Sequence, residues 1–221
     1  MCGRFAFYSP AEATAALFGV NGAPPVEPRF NIAPTQYVAA VRDGSDKQRE
    51  LVMLRWGLVP FWAKDPAIGN RMINARAETV AEKPAYRAAY RHRRCLVLAD
   101  GFYEWHRAGD TKVPWFISLA SDEPFALAAL WEQWHDKESG DALQTTTLLT
   151  TGANDFMAPL HHRMPVILDP ESADTWLAGG DWLLETWTAP ALRAWPVDRR
   201  VNNARNEGDD LVEPAGEARE G

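Results

Sequence analysis

Residues 95–106 read CLVLADGFYEWH, and this stretch decides the fold class. It holds two strand-like runs, 95–99 and 102–106, separated by Asp-Gly. Similar short runs, separated by Gly, Asp or Pro, recur on both sides: Tyr37–Arg42, Glu50–Trp56, Val113–Leu119, Phe125–Trp131 and Leu143–Thr151. This rhythm predicts an antiparallel sheet or barrel rather than βαβ units, and therefore an α+β fold.

Three short helices are predicted around the strands. Ser9-Pro10-Ala11-Glu12 is typical of a capping box with Pro at the first helical position, and Gly19 closes that helix. A second helix starts at Pro84, and a third begins at Asp169-Pro170 and ends near Gly179-Gly180.

The chain length of 221 residues fits one domain, which we assign to residues 2–206. Residues 207–221 hold six acidic side chains and one basic one. Such a composition is typical of a solvated end, so this segment is predicted to be an acidic flexible tail.

The composition narrows the function classes. A hydrophobic content of 46% excludes an intrinsically disordered chain. The net charge of −7 argues against a broad basic nucleic-acid binder, but the charge is unevenly divided: residues 1–110 carry +4 and residues 111–221 carry −11. An acidic total is therefore compatible with a basic working face.

Two cysteines give no disulfide framework, and no apolar run has membrane-spanning length. The first residues also lack the layout of a signal peptide. We therefore expect a cytoplasmic protein. The five histidines have neither metal-ligand spacing nor cysteine partners, so no metal and no other cofactor is expected.

Cys2 follows the initiator Met1, and removal of Met1 leaves one residue with both an α-amine and a thiol. Their reference pKa values, about 7.7–8.0 and about 8.5, make both partly nucleophilic at neutral pH. Such an aminothiol traps an aldehyde, first as an imine and then as a thiazolidine ring. The same pair also suits an N-terminal-nucleophile cysteine amidohydrolase or peptidase, so position 2 alone leaves both reactions open.

Three polar clusters lie in apolar or aromatic surroundings. Asn74 and Arg76 share one face of an extended segment, although for a lone Asn-x-Arg a surface loop is the favoured interpretation. Glu104 lies between aromatic residues, where desolvation favours a general acid, or it pairs with Arg107 or Lys112. The sequence HHRMP at 161–165 joins imidazoles to an arginine, or forms a polar loop before a strand.

Phe61 and Trp62 lie between Gly and Pro breaks and near basic residues. Exposed aromatic side chains flanked by cations suit stacking on unpaired bases. A non-enzymatic binder of single-stranded DNA, in which Cys2 is incidental, is therefore a third hypothesis beside the two reactions of an N-terminal cysteine.

Taken together, six motifs closely resemble the SOS-response-associated peptidase family, the abasic-site processing proteins, and follow that family's order. They are MCGRF at 1–5, NIAPT at 31–35, WGLVP at 56–60, NARAET at 74–79, DGFYEW at 100–105 and HHRMP at 161–165. The resemblance implies a single α+β domain with a central antiparallel β-barrel-like core flanked by short helices. It also implies a positively charged cleft for single-stranded DNA.

The resemblance further implies a covalent reaction that protects abasic sites during the DNA damage response. Cys2 would form a thiazolidine with the ring-opened abasic deoxyribose, with weak lyase activity as a side reaction. Asn74 would hold the amine and the sugar, Glu104 would act as general acid, and His161 would assist proton transfer. His162 occupies the motif's variable position.

The resemblance assigns the DNA contacts as well. Arg4, Asn31, Arg76 and Arg163 would contact phosphate or sugar, and Phe61 and Trp62 would wedge against bases. Because the whole chain is acidic, we expect a narrow DNA footprint. The expected partner is single-stranded DNA containing abasic sites, bound by a monomer that is nucleoid-associated while on DNA and has no membrane association.

Overall fold

The structure is a computed structural model that describes residues 2–180, 184 and 187–220. Met1, on whose removal the predicted chemistry depends, lies outside the described residues. The strands are β1 (Phe5–Phe7), β2 (Arg29–Ile32), β3 (Tyr37–Asp43), β4 (Arg49–Trp56), β5 (Asn74–Arg76), β6 (Arg94–Ala99), β7 (Gly101–Ala108), β8 (Thr111–Leu119), β9 (Phe125–His135), β10 (Ala142–Gly152), β11 (Arg163–Pro165), β12 (Ile167–Leu168), β13 (Leu192–Pro196) and β14 (Arg219–Glu220). The α-helices are α1 (Ala11–Leu17), α2 (Arg87–His92) and α3 (Pro170–Leu177), and short 3-10 helices span Pro66–Arg71, Arg199–Asn202 and Asp209–Leu211.

A closed five-stranded barrel forms the core, in the order β10, β4, β3, β6, β9, with β9 pairing back to β10. Four of its five seams are antiparallel, while β4 and β10 pair in parallel. The predicted α+β domain with a barrel-like core is thus confirmed. The parallel pairing of β4 with β10 was not predicted from the sequence.

Strand β6 explains why residues 95–99 form an unbroken apolar run. All six of its residues are buried, because other parts of the protein cover both faces of the strand. Helix α3 covers one of them, and the Trp176 indole nitrogen donates a hydrogen bond to the Cys95 carbonyl oxygen at 3.1 Å. Burial also raises the pKa of the Cys95 thiol to about 12, so this cysteine is an inert core residue.

A second sheet has the order β14, β13, β8, β7, β1, β2 and packs beside the barrel. Its central hairpin, β7 and β8, follows β6 after the Asp-Gly turn of the opening stretch. Gly101 is required at this turn, because a Cβ there would lie 2.1 Å from the Phe116 ring. The turn therefore passes the chain from the barrel to the sheet that carries Glu104.

Three α-helices lie where they were predicted, but the second begins at Arg87 rather than at Pro84, and the capping box at the first helix is wrong. Pro10 occupies the N-cap position of α1, with no side-chain cap. The Ser9 hydroxyl donates instead to the Asp100 carboxylate, which also accepts from the backbone N–H groups of Tyr8 (2.6 Å) and Ser9 (2.9 Å). A buried carboxylate with three donors outcompetes the local cap.

Residues 207–220, predicted as a flexible acidic tail, contact the domain in the structure. The Glu207 carboxylate accepts from the Arg29 guanidinium at 2.7 Å, and Leu211 is fully buried. Strand β14 pairs with β13. The mobility of this segment stays a prediction. No helix within the described part of the chain has the length and apolar character needed to cross a membrane.

Candidate active site

The N-terminal strand β1 delivers Cys2 to the interior. β1 lies between β2 and β7, with Phe5 opposite Phe102. The Tyr103 N–H donates to the Arg4 carbonyl oxygen at 2.9 Å, which extends this pairing toward the N-terminus. Cys2 is completely buried, and its Sγ lies 3.8 Å from the same Arg4 oxygen.

Asn74, the first residue of β5, fixes the backbone of Cys2. Its Nδ2 donates to the Cys2 carbonyl oxygen at 2.7 Å. Its Oδ1 is buried and has no hydrogen-bond donor among the described residues. The Tyr86 hydroxyl donates to the Asn74 carbonyl oxygen at 3.4 Å and holds β5 from behind. Asn74 therefore keeps one polar atom available beside the N-terminus.

Glu104 on β7 is 3% exposed. Burial raises the pKa of its carboxyl, so the protonated form persists above the usual range. Burial raises the pKa of the Cys2 thiol, and the negative charge of the Glu104 carboxylate raises it further. The β7–β8 register places Glu104 opposite Trp115 and Arg107 opposite Lys112. The geometry thus favours the general-acid interpretation over a strand-surface ion pair.

His161 lies just before β11, and its ring orientation is set by the backbone. His161 Nδ1 lies 3.0 Å from the Arg163 backbone nitrogen and 3.2 Å from the Arg163 carbonyl oxygen, so the backbone of Arg163 fixes the ring. Burial lowers the pKa of His161, which favours the neutral form. His162 stacks on it with ring centroids 4.3 Å apart and is itself exposed.

Strand β10 brings the Asn74 and His161 segments together. It pairs in parallel with β5, placing Leu148 opposite Asn74 and Thr150 opposite Arg76. It pairs antiparallel with β11, placing Gly152 opposite Arg163. The last residues of β10 therefore have one candidate segment on each side, although the two segments are separated by more than eighty residues in sequence.

Arg4 and Asn31 form one buried network rather than two surface contacts. Asn31 is completely buried, and its Oδ1 accepts from Arg4 Nη1 at 2.6 Å. The same Arg4 nitrogen donates to the Val201 carbonyl oxygen at 2.7 Å. Arg4 also lies over the Trp105 ring, 5.8 Å from its centroid. Asn31 is thereby placed to orient Arg4, and its predicted contact with DNA stays a prediction.

Arg76 and Arg163 differ in availability. Arg76 is exposed at the end of β5. Arg163 is mostly buried and donates to the Glu78 carboxylate and to the Thr150 carbonyl oxygen. In the described part of the chain, Arg76 makes no hydrogen bond or ion pair with its guanidinium, whereas that of Arg163 is already occupied.

Phe61 and Trp62 are the central residues of a β-turn closed by the Ala63 N–H and the Pro60 carbonyl oxygen at 2.9 Å. They are 58% and 49% exposed, as the Gly and Pro breaks predict. Buried anchors hold the base of the turn: the Trp134 indole donates to the Ala63 carbonyl oxygen at 2.8 Å. The turn presents two large aromatic faces from a rigid support.

Close backbone contact fixes the approach to this turn. Gly57 has a φ of +124°, and a Cβ at Gly57 would lie 2.5 Å from the Gly69 carbonyl oxygen. Gly69 is equally constrained by the Gly57 carbonyl oxygen. Because neither glycine has a Cβ, the backbone that follows β4 packs directly against the 3-10 helix Pro66–Arg71.

Sequence reasoning missed three participants. Tyr86 supports Asn74, Glu78 holds Arg163, and the Val201 carbonyl oxygen holds Arg4. Glu78 lay inside a recognised motif, so its charge beside Arg76 was a usable signal. The other two are brought in by tertiary packing and carry no local signal.

Comparison with known proteins identifies the family of the chain. The family model described as SOS response associated peptidase (SRAP) matches residues 1–204. The abasic site processing protein YoqW of Bacillus subtilis is 41% identical over 96% of this chain and 99% of its own length. The abasic site processing protein YedK of Escherichia coli is 32% identical over 97% of this chain and 100% of its own.

A solved structure of a protein from Bacteroides thetaiotaomicron has a TM-score of 0.85 at 24% identity, covering 97% of this chain and 100% of that one. That likeness concerns the fold. The family model spans all six motifs and ends close to the predicted domain boundary at residue 206. The chain belongs to the SOS response associated peptidase (SRAP) family.

Proposed function

We propose that this chain processes abasic sites in single-stranded DNA by covalent capture on Cys2 once Met1 has been removed. The observation that carries the proposal is the enclosed position of Cys2, whose backbone is held by Asn74 at 2.7 Å, close to the buried carboxyl of Glu104, whose pKa is raised by burial. Relatives that match nearly the whole chain are named abasic site processing proteins.

The reaction has two steps. The α-amine of Cys2 attacks the aldehyde carbon of the ring-opened deoxyribose, and the resulting carbinolamine loses one water to give an imine. The thiol sulfur then adds to the imine carbon while its proton passes to the nitrogen, which closes a five-membered thiazolidine. The second step is intramolecular and therefore has a high effective molarity.

The neighbouring side chains supply protons. Glu104, whose pKa is raised by burial, donates its proton to the sugar ring oxygen and regains one from the anomeric hydroxyl as the aldehyde forms; it then protonates the leaving hydroxyl of the carbinolamine. Asn74 Oδ1 accepts from the amine or the sugar. His161, held by the backbone of Arg163, relays protons in both directions and assists reversal of the cross-link. The imine also permits β-elimination, which we expect as weak lyase activity.

The DNA strand is proposed to pass between the aromatic turn and the arginines, bound by one protomer. Phe61 and Trp62 stack on bases, because both expose large ring faces. Arg76 and Arg163 contact phosphate, and Arg4 contacts phosphate or sugar in an orientation set by Asn31. The few cations involved give the narrow footprint that the acidic chain predicts.

The test is intact-mass analysis of the purified protein before and after incubation with a single-stranded oligonucleotide carrying one abasic site. We expect the protein to lack Met1 and to gain the mass of the oligonucleotide less one water, in a heat-stable adduct. Cys95→Ala, the matched control at the buried core cysteine, should react normally. Cys2→Ser should give only a labile imine adduct. A Cys2→Ala variant that cross-links as stably as the parent would refute the thiazolidine.

The alternative reaction, amide hydrolysis by a Cys2 thiolate, is less well supported. Burial and the adjoining carboxyl raise the thiol pKa, so little thiolate is present at neutral pH to attack first. Covalent capture begins instead with the amine. Release of ammonia from glutamine, or cleavage of a peptide in the absence of DNA, would favour hydrolysis over capture.

A further inference from the structure

The guanidinium of Arg163 forms a bidentate ion pair with one carboxylate. Arg163 Nη1 donates to Glu78 Oε1 at 2.5 Å, and Nη2 donates to Glu78 Oε2 at 2.9 Å. Nη2 also donates to the Thr150 carbonyl oxygen at 2.6 Å. The Arg163 side chain is 12% exposed, whereas that of Glu78 is 49% exposed. The arginine is therefore fixed, and its carboxylate partner faces solvent.

Glu78 lies on a turn that faces both proposed phosphate contacts. The turn is closed by the Thr79 N–H and the Arg76 carbonyl oxygen at 3.1 Å, and it is tied to β10 by the Ala77 N–H, which donates to the Thr150 carbonyl oxygen at 2.9 Å. The hydrogen bond from Arg163, with smaller contributions from both arginines, lowers the pKa of Glu78. Glu78 is thus a full negative charge at neutral pH, placed where a phosphate is expected.

A carboxylate and a phosphate use the same parallel pair of guanidinium donors. Among the described residues, the buried Nε of Arg163 has no acceptor. Within the same part of the chain, the donors of Arg163 that bind a charged partner are Nη1 and Nη2, and that partner is the Glu78 carboxylate. A strand phosphate cannot engage both of them unless the Glu78 side chain moves away. Its half-exposed position leaves room for that movement.

We propose that Glu78 competes with DNA phosphate for Arg163 and so weakens binding to intact single strands, an inference that rests on the DNA-binding part of the proposed function. Because its equilibrium binding is weak, the protein dissociates quickly from intact DNA, whereas the covalent bond retains it at an abasic site. Glu78 is in this sense a specificity-determining residue: it shifts discrimination from phosphate affinity to the chemistry of Cys2.

The test is binding of a fluorescent oligonucleotide without any abasic site, measured by anisotropy across a series of salt concentrations. Glu78→Gln is expected to bind roughly fivefold more tightly at low salt, because a like charge is removed beside a phosphate. Its log–log salt slope should steepen by about 0.7, the value of one additional phosphate contact on a single strand. Glu82→Gln removes an equal charge from an exposed side chain with no ion pair in the described part of the chain, and should change affinity less than twofold.

Three outcomes decide the inference. If Glu78→Gln binds no more tightly than Glu82→Gln, competition is absent; if it binds more weakly, Glu78 positions Arg163 for DNA instead. If the gain survives in the Arg163→Ala background, it does not act through Arg163. Urea midpoints verify that all variants fold. Because no abasic site is present, failure of Cys2 cross-linking leaves this result unaffected, whereas loss of all DNA binding overturns both proposals.

Discussion

Replacing Asn31 by Ala is expected to destabilise the domain, because the side chain joins the N-terminal strand to the segment that follows β13. Asn31 is fully buried, and its Oδ1 accepts from Arg4 at 2.6 Å. Its Nδ2 donates to three carbonyl oxygens in this segment, those of Val201 (3.3 Å), Asn203 (3.0 Å) and Asn206 (2.9 Å). The substitution removes four hydrogen bonds at once.

The size of the effect depends on which partners find water. The Val201 carbonyl oxygen keeps its bond from Arg4, and Asn203 has an exposed side chain that leads solvent to its backbone. One or two groups are then left buried and unpaired, at about 1–3 kcal/mol each. We therefore expect a loss of about 3 kcal/mol, or roughly 6–12 °C in melting temperature for a domain of this size.

The assay is urea unfolding followed by tryptophan fluorescence, with Asn21→Ala as the control at an exposed asparagine. The control should stay within about 0.5 kcal/mol of the parent. The reasoning fails if Asn31→Ala unfolds at the parental urea concentration yet binds DNA more weakly. That result would make Asn31 a direct DNA contact, as the family resemblance implies, rather than the residue that orients Arg4.

Three further predictions concern the acid, the aromatic turn and the C-terminal segment. Glu104→Gln should slow cross-linking about 10²–10⁴-fold in a gel assay. Glu104→Gln should also raise the melting temperature at pH 8. Because burial raises the pKa of Glu104 in the folded state, the folded state binds its proton more tightly than the unfolded state, and the stability of the parent protein falls as the pH rises through the folded pKa. The neutral glutamine has no carboxyl to ionise, so the variant does not lose this stability. Joint replacement of Phe61 and Trp62 by Ala should weaken binding to intact single strands by about 1–3 kcal/mol per stacked base in anisotropy, without changing the melting temperature, because both side chains are exposed. Ending the chain after Asn206 should lower the urea midpoint, because it removes the buried Leu211 and the Glu207 partner of Arg29; an unchanged midpoint would favour the solvated tail predicted from composition.

Local patterns predicted the strands well because each is short, apolar and bounded by turn residues. Runs such as 37–42 and 143–151 appear as β3 and β10 with slightly wider bounds. The closure of the barrel was not predictable in the same way. The parallel pairing of β4 with β10 joins residues about ninety positions apart, and no local periodicity encodes it. The Ser9 cap failed for a similar reason, since its competitor Asp100 comes from another part of the chain.

The candidate site divides along the same line. Cys2 and Glu104 were suggested by residue type and surroundings and Asn74 by the family resemblance, and the structure brings them together. The burial and the hydrogen-bond partners of each group could not be predicted from the sequence. Asn31 and Arg163 look like free polar contacts in a motif, but one is buried in a network and the other is held by Glu78. Burial and pairing are properties of the folded chain, so they become visible only in the structure.

The acidity of the chain and a DNA-directed site are reconciled by this pairing. A net charge of −7 opposes any broad attraction to phosphate, so affinity must come from a few local contacts. Among the described residues, the hydrogen bonds of Arg4 go to neutral acceptors, whereas the charge of Arg163 is offset by Glu78. Exposed aromatic faces add binding energy that carries no charge. Under the proposed capture by Cys2, such a site would bind intact strands weakly and retain its target through the covalent bond.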